Sequence, residues 1–206
     1  AQAGHIIARL ADLRHTYDRG RLVREGACTV IAGKPNVGKS TLFNRLLNEE
    51  RAIVTSLPGT TRDCIEESLV IRGMPLKLVD TAGLRDATDI IEEAGVRITG
   101  RKIDQADLTL LVIDGSAGLD TSDEELCNRL REKKVIVACN KADLPCMISL
   151  ETIRAFLPES PIVSVSALRG TGIEALKEAV TGAVLSNGAA VTSHTVISTL
   201  RHARAL

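Results

Sequence analysis

The chain has no tryptophan, one tyrosine (Tyr17) and two phenylalanines (Phe43, Phe156) among 206 residues. A core built from it must be aliphatic, and stacking bases on an aromatic platform is excluded as a way of binding RNA. An excess of either charge is missing too. The 26 Lys and Arg residues balance 26 Asp and Glu, so no global basic field draws in nucleic acid. The local basic stretches at 19–24 and 97–102 read as solvated helix faces. No run is long and apolar enough to span a bilayer and no secretory leader is evident, so the chain is expected in the cytoplasm, with no membrane partner. The five cysteines (Cys28, Cys64, Cys127, Cys139, Cys146) contain no C-x-x-C pair. They read as small core or surface residues of a reducing compartment, not as ligands or bridges.

What is present is a set of four short motifs in a fixed order. Gly33-Lys34-Pro35-Asn36-Val37-Gly38-Lys39-Ser40 fits the phosphate-binding loop G-x-x-x-x-G-K-[ST]. The apolar run 28–32 before it reads as a buried strand, and 41–47 after it as a helix with one apolar face. A loop between strand and helix N-terminus presents free backbone N–H groups and a positive dipole end to a polyphosphate. Lys39 is expected to reach the β- and γ-phosphates and the Ser40 hydroxyl to ligate Mg²⁺. Asn36, Val37, Gly38 and Thr41 complete the phosphate-binding set. Forty residues after Lys39, a short strand ends in Asp80-Thr81-Ala82-Gly83, a D-x-x-G. Asp80 is expected in the Mg²⁺ shell and the Gly83 N–H at the γ-phosphate.

The strand at 135–139 runs into Asn140-Lys141-Ala142-Asp143, an N-K-x-D. The Asp143 carboxylate can accept from the ring N–H and the exocyclic amine of guanine, a donor pair that adenine lacks. Adenine would leave it unpaired in a desolvated pocket. Asn140 is expected to tie this loop to the phosphate loop, and the Lys141 stem to cover the base. Ser166-Ala167-Leu168, after a strand at 162–165, would offer the Ala167 N–H to the guanine carbonyl. Together the four motifs predict a site for GTP or GDP.

Strands are expected near 27–32, 65–71, 76–80, 107–113, 134–139 and 162–165, alternating with helices. That pattern predicts an α/β, doubly wound phosphate-loop GTPase fold, with a mostly parallel six-stranded sheet and helices at both termini. Arg72-Gly73-Met74-Pro75 would be a hairpin turn that makes one edge strand antiparallel. Residues 26–186 form the expected GTPase domain. Residues 1–25 and 187–206 carry helical apolar spacing, and two readings stand for them: parts of a helical domain into which the GTPase domain is inserted, or plain extra helices.

Hydrolysis needs a group to orient water. Ras-like proteins place a glutamine after D-x-x-G, and here that position is Leu84. Two features offer substitutes. The Asn36 carbonyl is placed to ligate a monovalent cation at the phosphates, though Asn also simply tolerates an unusual loop conformation. The segment 84–93 supplies Asp86, Asp89, Glu92 and Glu93, among which spacing does not choose. Upstream, 55–63 has the Pro-Gly flexibility of a segment that folds over a γ-phosphate, and one of Thr60 and Thr61 is expected on Mg²⁺.

G-K-P-N-V-G-K-S, L-P-G-T-T-R-D, D-T-A-G-L-R and N-K-A-D together resemble the Era/TrmE branch of GTPases. D-T-A-G-L-R-D-A-T-D-I-I-E-E-A-G-V, flanked by R-L-V-R-E-G and S-T-L-R-H-A-R-A-L, resembles the MnmE (TrmE) family of tRNA modification GTPases over essentially the whole chain. The resemblance implies a K⁺ site of the Asn36 side chain with the backbone carbonyls of Thr55, Leu57 and Thr60. It implies Thr61 on Mg²⁺ and Glu92 orienting the attacking water, with Arg62 and Arg85 steadying nearby loops. It implies K⁺-activated hydrolysis when two GTPase domains form a transient homodimer. It also implies wobble-uridine modification of tRNA with a GidA/MnmG-like flavoprotein and a folate one-carbon unit. The family's N-terminal folate-binding domain and C-terminal C-[IL]-G-K end have no counterpart here, so GTP hydrolysis without tRNA modification is expected of this chain alone. The alternatives are an Era/Der-like switch in ribosome assembly, or a slow timer whose terminal helices self-associate.

Overall fold

The computed structural model describes residues 21–22, 24–49, 65–80 and 100–186. Six strands, β1 (Ala27–Ala32), β2 (Ile65–Ile71), β3 (Met74–Asp80), β4 (Leu108–Asp114), β5 (Val135–Asn140) and β6 (Ile162–Ser164), form one sheet in the order β2-β3-β1-β4-β5-β6. All pairs are parallel except β2 with β3, which is antiparallel. The helices with both ends among the described residues are α1 (Lys39–Glu49), α2 (Thr121–Leu130), α3 (Leu150–Phe156) and α4 (Ile173–Ser186); residues 100–105 are helical as well. This is the doubly wound architecture that the strand–helix alternation predicts. β1 and β2 have the expected bounds, and the other four strands differ from theirs by one or two residues at an end, where strands fray.

The two-residue alternation of strands sorts the aliphatic side chains onto both faces. Ala27 and Ile31 of β1, Leu108, Leu110 and Val112 of β4, and Ile136 and Ala138 of β5 share one cluster. They pack with Leu42, Phe43 and Leu46 of α1 and Ile173, Leu176, Val180 and Val184 of α4. Val30 and Ala32, Leu111 and Ile113, and Val135, Val137 and Cys139 face the other way. There they meet Cys127 and Leu130 of α2, Ile103 of the helical stretch 100–105, and Ile153 and Leu157. The central strands are thus apolar on both faces, as parallel strands covered by helices must be. Phe43 is the one buried aromatic residue among those described; Phe156 lies partly buried against the second cluster.

The β2–β3 connection is tighter than expected. Met74 and Pro75 already belong to β3, leaving Arg72 and Gly73 as the turn, with φ of 49° and 81°. Positive φ at both central residues is the geometry that matches the twist of an antiparallel pair. Pro75 is tolerated because β1 begins its register with β3 at Leu76, one residue later.

Ahead of β1, residues 21–22 and 24–25 are helical, and the Gly26 N–H donates to Leu22 O at 3.1 Å as the chain turns into the sheet. Arg21 pairs with Asp107, whose carboxylate also accepts the Cys28 N–H at 2.8 Å. The rest of the expected 1–25 segment, and all of 187–206, lie outside the described residues. Among the described residues no helix is long and apolar enough to cross a membrane.

Candidate functional site

The C-terminal ends of β1, β3, β5 and β6 lead into the four motifs, at the sheet edge where open α/β folds bind ligands. β1 lies between β3 and β4, and the phosphate loop leaves it directly. Gly33 has φ of 146°, and a Cβ there would stand 2.3 Å from Val112 O of β4, so the loop departs along a path only glycine allows. Lys39 is the first residue of α1 and is buried; its ammonium donates to Lys34 O at 2.5 Å, closing the loop on itself. The Lys34 side chain is held from outside by Asp120 and Asp123, each at 2.7 Å. Those two carboxylates also form the capping box that starts α2. Ser40 and Thr41 are exposed on the first turn of α1, and Asn36 is exposed at the loop tip with φ of 63°. Asp80 ends β3 and is buried beside β1, opposite Ile31 in register.

The base-side loops are joined to this loop through one side chain. Asn140, buried at the end of β5, donates from Nδ2 to Val37 O at 2.8 Å and accepts the Ala167 N–H on Oδ1 at 2.9 Å. The Ser166 hydroxyl donates to Asp143 at 2.6 Å. That hydrogen bond, ahead of the residue's own backbone N–H, holds the Asp143 carboxyl below the usual range, so it is an acceptor at neutral pH. N-K-x-D and S-A-L, 23 residues apart between Asp143 and Ser166, therefore form one polar surface.

A protein-family model described as "50S ribosome-binding GTPase" matches residues 28–141, more than half of the chain. The chain belongs to this GTPase family. Among curated relatives, this GTPase is 50% identical over 188 residues to "tRNA modification GTPase MnmE" of Geobacter sulfurreducens, covering 90% of this chain and 40% of that protein. Against the protein of the same name from Geobacter metallireducens the identity is 46% over 208 residues, covering 100% of this chain and 45% of that one. The chain thus spans less than half the length of these curated relatives. Of solved structures, Aquifex aeolicus Era bound to GDP and AlF4- aligns with a TM-score of 0.59 and 30% identity, over 76% of this chain and 56% of that one. The G domain of the T. maritima iron transporter FeoB aligns with a TM-score of 0.57 and 33% identity, over 76% of this chain and 98% of that one.

The GTPase site is also built with residues outside the four motifs. Asp114, the last residue of β4, accepts from the Lys141 ammonium at 2.5 Å and from the Ser116 hydroxyl and N–H at 2.6 and 3.0 Å. Burial alone would raise the Asp114 carboxyl; these donors outweigh it and hold the group below its ordinary value. Lys141 itself has φ of 64°. Among the described residues, two of the three non-glycine residues with positive φ, Asn36 and Lys141, lie in this site, and such strain persists where the surroundings enforce it. Asp114 has a signal that could have found it: like Asp80 and Asn140, it is a polar residue ending an apolar strand at the C-terminal sheet edge. Arg45 of α1 has no such signal, yet donates to Ala167 O and Leu168 O, at 3.0 and 2.6 Å.

One expected role has a different geometry here. The Ala167 N–H, expected for the guanine carbonyl, is given to Asn140, so the turn is fixed before any base contact. Thr55, Leu57, Thr60, Thr61, Arg62, Gly83, Arg85 and Glu92, with the carboxylates at 86, 89 and 93, lie outside the described residues. Among those described, no group of three His, Cys, Asp or Glu side chains is placed to hold a metal unaided.

Proposed function

We propose that this GTPase domain binds GTP with Mg²⁺, hydrolyses it with K⁺ as activator when two copies of the domain pair, and serves wobble-uridine modification of tRNA. The observation that carries the nucleotide assignment is the Asn140 side chain, which links the phosphate loop at Val37 to the base-side turn at Ala167 in one pair of hydrogen bonds. A triphosphate lying along the loop at 33–40 would then place its base between Asp143, Lys141 and Ser166–Leu168. Guanine satisfies Asp143 with two donors; adenine leaves it unpaired.

Ser40 and Asp80 offer hydroxyl and carboxylate oxygens, the hard donors Mg²⁺ prefers, and Thr61 would complete them. With so few protein ligands, such an ion shares its shell with the phosphates it neutralises. Lys39, already turned over the loop onto Lys34 O, would give that carbonyl up for a phosphate oxygen. Glu92 is the residue assigned to orient water, since Leu84 has no polar atom for it. Asn36, with Thr55, Leu57 and Thr60, is assigned to K⁺; its exposure at the loop tip leaves the amide oxygen accessible to an ion.

The tRNA assignment rests on the name shared by relatives 41–50% identical to this chain. On this reading the domain works in the cytoplasm, within a larger assembly holding a GidA/MnmG-like flavoprotein. The Era-like role in ribosome assembly has a more distant supporting neighbour, at 30% identity.

GTP turnover in K⁺ against Na⁺, for the parent and Glu92→Ala, tests the proposal. Faster turnover in K⁺, with a loss of roughly 10²-fold or more in the variant at unchanged nucleotide affinity, is the expected result. Rates indifferent to the cation would remove the K⁺ site, and a fully active variant would remove Glu92. Sedimentation with GDP and aluminium fluoride checks the pairing, which should need K⁺.

A further inference from the structure

The turn that follows β6 is held from two sides. Asn140 takes the Ala167 N–H, while Arg45, 122 residues earlier on α1, binds the next two carbonyls. Its Nε donates to Ala167 O at 3.0 Å and its Nη2 to Leu168 O at 2.6 Å. A guanidinium presents fixed, side-by-side N–H groups along its Nε–Nη2 edge, so gripping two successive carbonyls sets both the position and the tilt of the peptide units between them. In a planar trans peptide the C=O and the N–H of the next residue point in opposite directions. Drawing Ala167 O toward α1 therefore turns the Leu168 N–H away from α1. Drawing in Leu168 O does the same to the Arg169 N–H, which meets Ser166 Oγ at 3.1 Å. Ser166 Oγ is the atom that donates to Asp143.

The guanidinium is itself braced. Glu49, one helical turn along α1, lies 3.9 Å from Nη1, and the other oxygen of that carboxylate accepts from the Lys177 ammonium at 3.0 Å. Lys177, on α4, is 3% exposed and also meets Glu174 at 2.7 Å. Arg45 is thus fixed between the base-side turn and an ion-pair cluster. It stands on the helix whose first residue is Lys39, so it ties the turn to the same rigid body that holds the phosphates.

We propose that Arg45 is a positioning residue for base reading: by clamping Ala167 O and Leu168 O it aims the Leu168 N–H, which lies between two N–H groups already taken by Asn140 and Ser166, at the six-position carbonyl of guanine. The proposal rests on the guanine-nucleotide reading above and extends it to a residue outside the four motifs. It predicts that Arg45 acts on one atom of the base, although it touches none.

The test compares GDP with 6-thio-GDP, whose sulfur accepts hydrogen bonds poorly, and with ADP, by titration of the 206-residue chain and its Arg45→Ala and Arg45→Lys variants. The parent should prefer GDP over ADP and lose affinity for the thio analogue. Arg45→Ala should bind GDP about tenfold more weakly, the scale of a lost charge-assisted hydrogen bond, and the penalty for sulfur should shrink with it. Arg45→Lys, which keeps the charge but not the fork, should fall between, and it serves as the readout if Arg45→Ala does not fold. A uniform weakening that leaves the sulfur penalty at its parent size would overturn the clamp, as would unchanged GDP affinity. If the parent does not prefer GDP over ADP, the guanine reading itself fails, a distinguishable outcome.

Discussion

A Cβ on Gly38 would stand 2.2 Å from Asn140 Nδ2, the atom that holds the phosphate loop through Val37 O. The base-side strand and the phosphate loop meet here at the closest approach that two backbones and one amide permit. Gly38 also has φ of 97°, which an L side chain rarely adopts. Gly38→Ala is therefore expected to cost about 2 kcal/mol in stability, from strain and the displaced amide. Guanine nucleotide affinity should drop at least ~10-fold with it. Urea unfolding and GDP titration check both; a variant matching the parent would mean that the loop relaxes freely.

Asp114 makes a pH prediction. Its carboxyl is depressed in the fold because the Lys141 and Ser116 donors outweigh burial. A depressed acid stabilises the fold at pH above its unfolded value of about 4, and that contribution disappears as pH falls through the lower, folded value. Stability of the parent should thus decline below about pH 4. Asp114→Asn should be less stable at pH 7 and decline less steeply below that point. Urea midpoints from pH 7 to 3 measure it, and parallel curves would exclude Asp114 as a contributor.

Lys177 is buried between Glu49 and Glu174. Its partners Glu49 and Glu174 reach solvent, so water takes over their charges when the ammonium goes, and the larger loss is the packing of the buried stem, which an apolar side chain of similar length recovers. Lys177→Ala should lose about 2 kcal/mol and Lys177→Met distinctly less. Equal losses in the two would assign the effect to charge alone.

Asp143→Asn exchanges an acceptor for a donor opposite the two-position of the base. Xanthine carries a carbonyl there in place of the amine of guanine. The variant should lose GTP affinity by roughly 10²-fold or more and gain affinity for xanthosine triphosphate, with its melting temperature little changed. Competition titrations with both nucleotides decide it, and retained guanine preference would place base selection elsewhere.

The phosphate loop, Asp80, Asn140 and Asp143 were legible because each chemistry needs a particular residue at a strand end, and apolar runs mark strand ends well. The sheet was legible for the same reason: runs such as Leu108–Ile113 and Val135–Cys139 admit little but buried strands. Arg45 and Lys177 were not. Each has a carboxylate one helical turn away, but the contacts that matter, Arg45 with Ala167 and Lys177 with Glu49, span 122 and 128 positions of sequence, and residue type and period carry no sign of them. The commitment of the Ala167 N–H to Asn140 was hidden likewise, because a motif names a backbone group without saying which of several acceptors it meets. Pro75 misled in the opposite sense. It marks turns strongly, yet it lies inside β3, paired with Val70 of β2 and one residue ahead of the β1 register.

The thiols differ sharply in accessibility, which gives the domain a chemical handle. Burial pushes Cys127 and Cys139 up to about 11, leaving almost no thiolate at neutral pH, while Cys146 is exposed three residues beyond Asp143. With Cys64 replaced by serine, a maleimide dye should attach first at Cys146. The absence of tryptophan removes the usual competing emission, so such a dye would report on the neighbourhood of the N-K-x-D loop against a dark background.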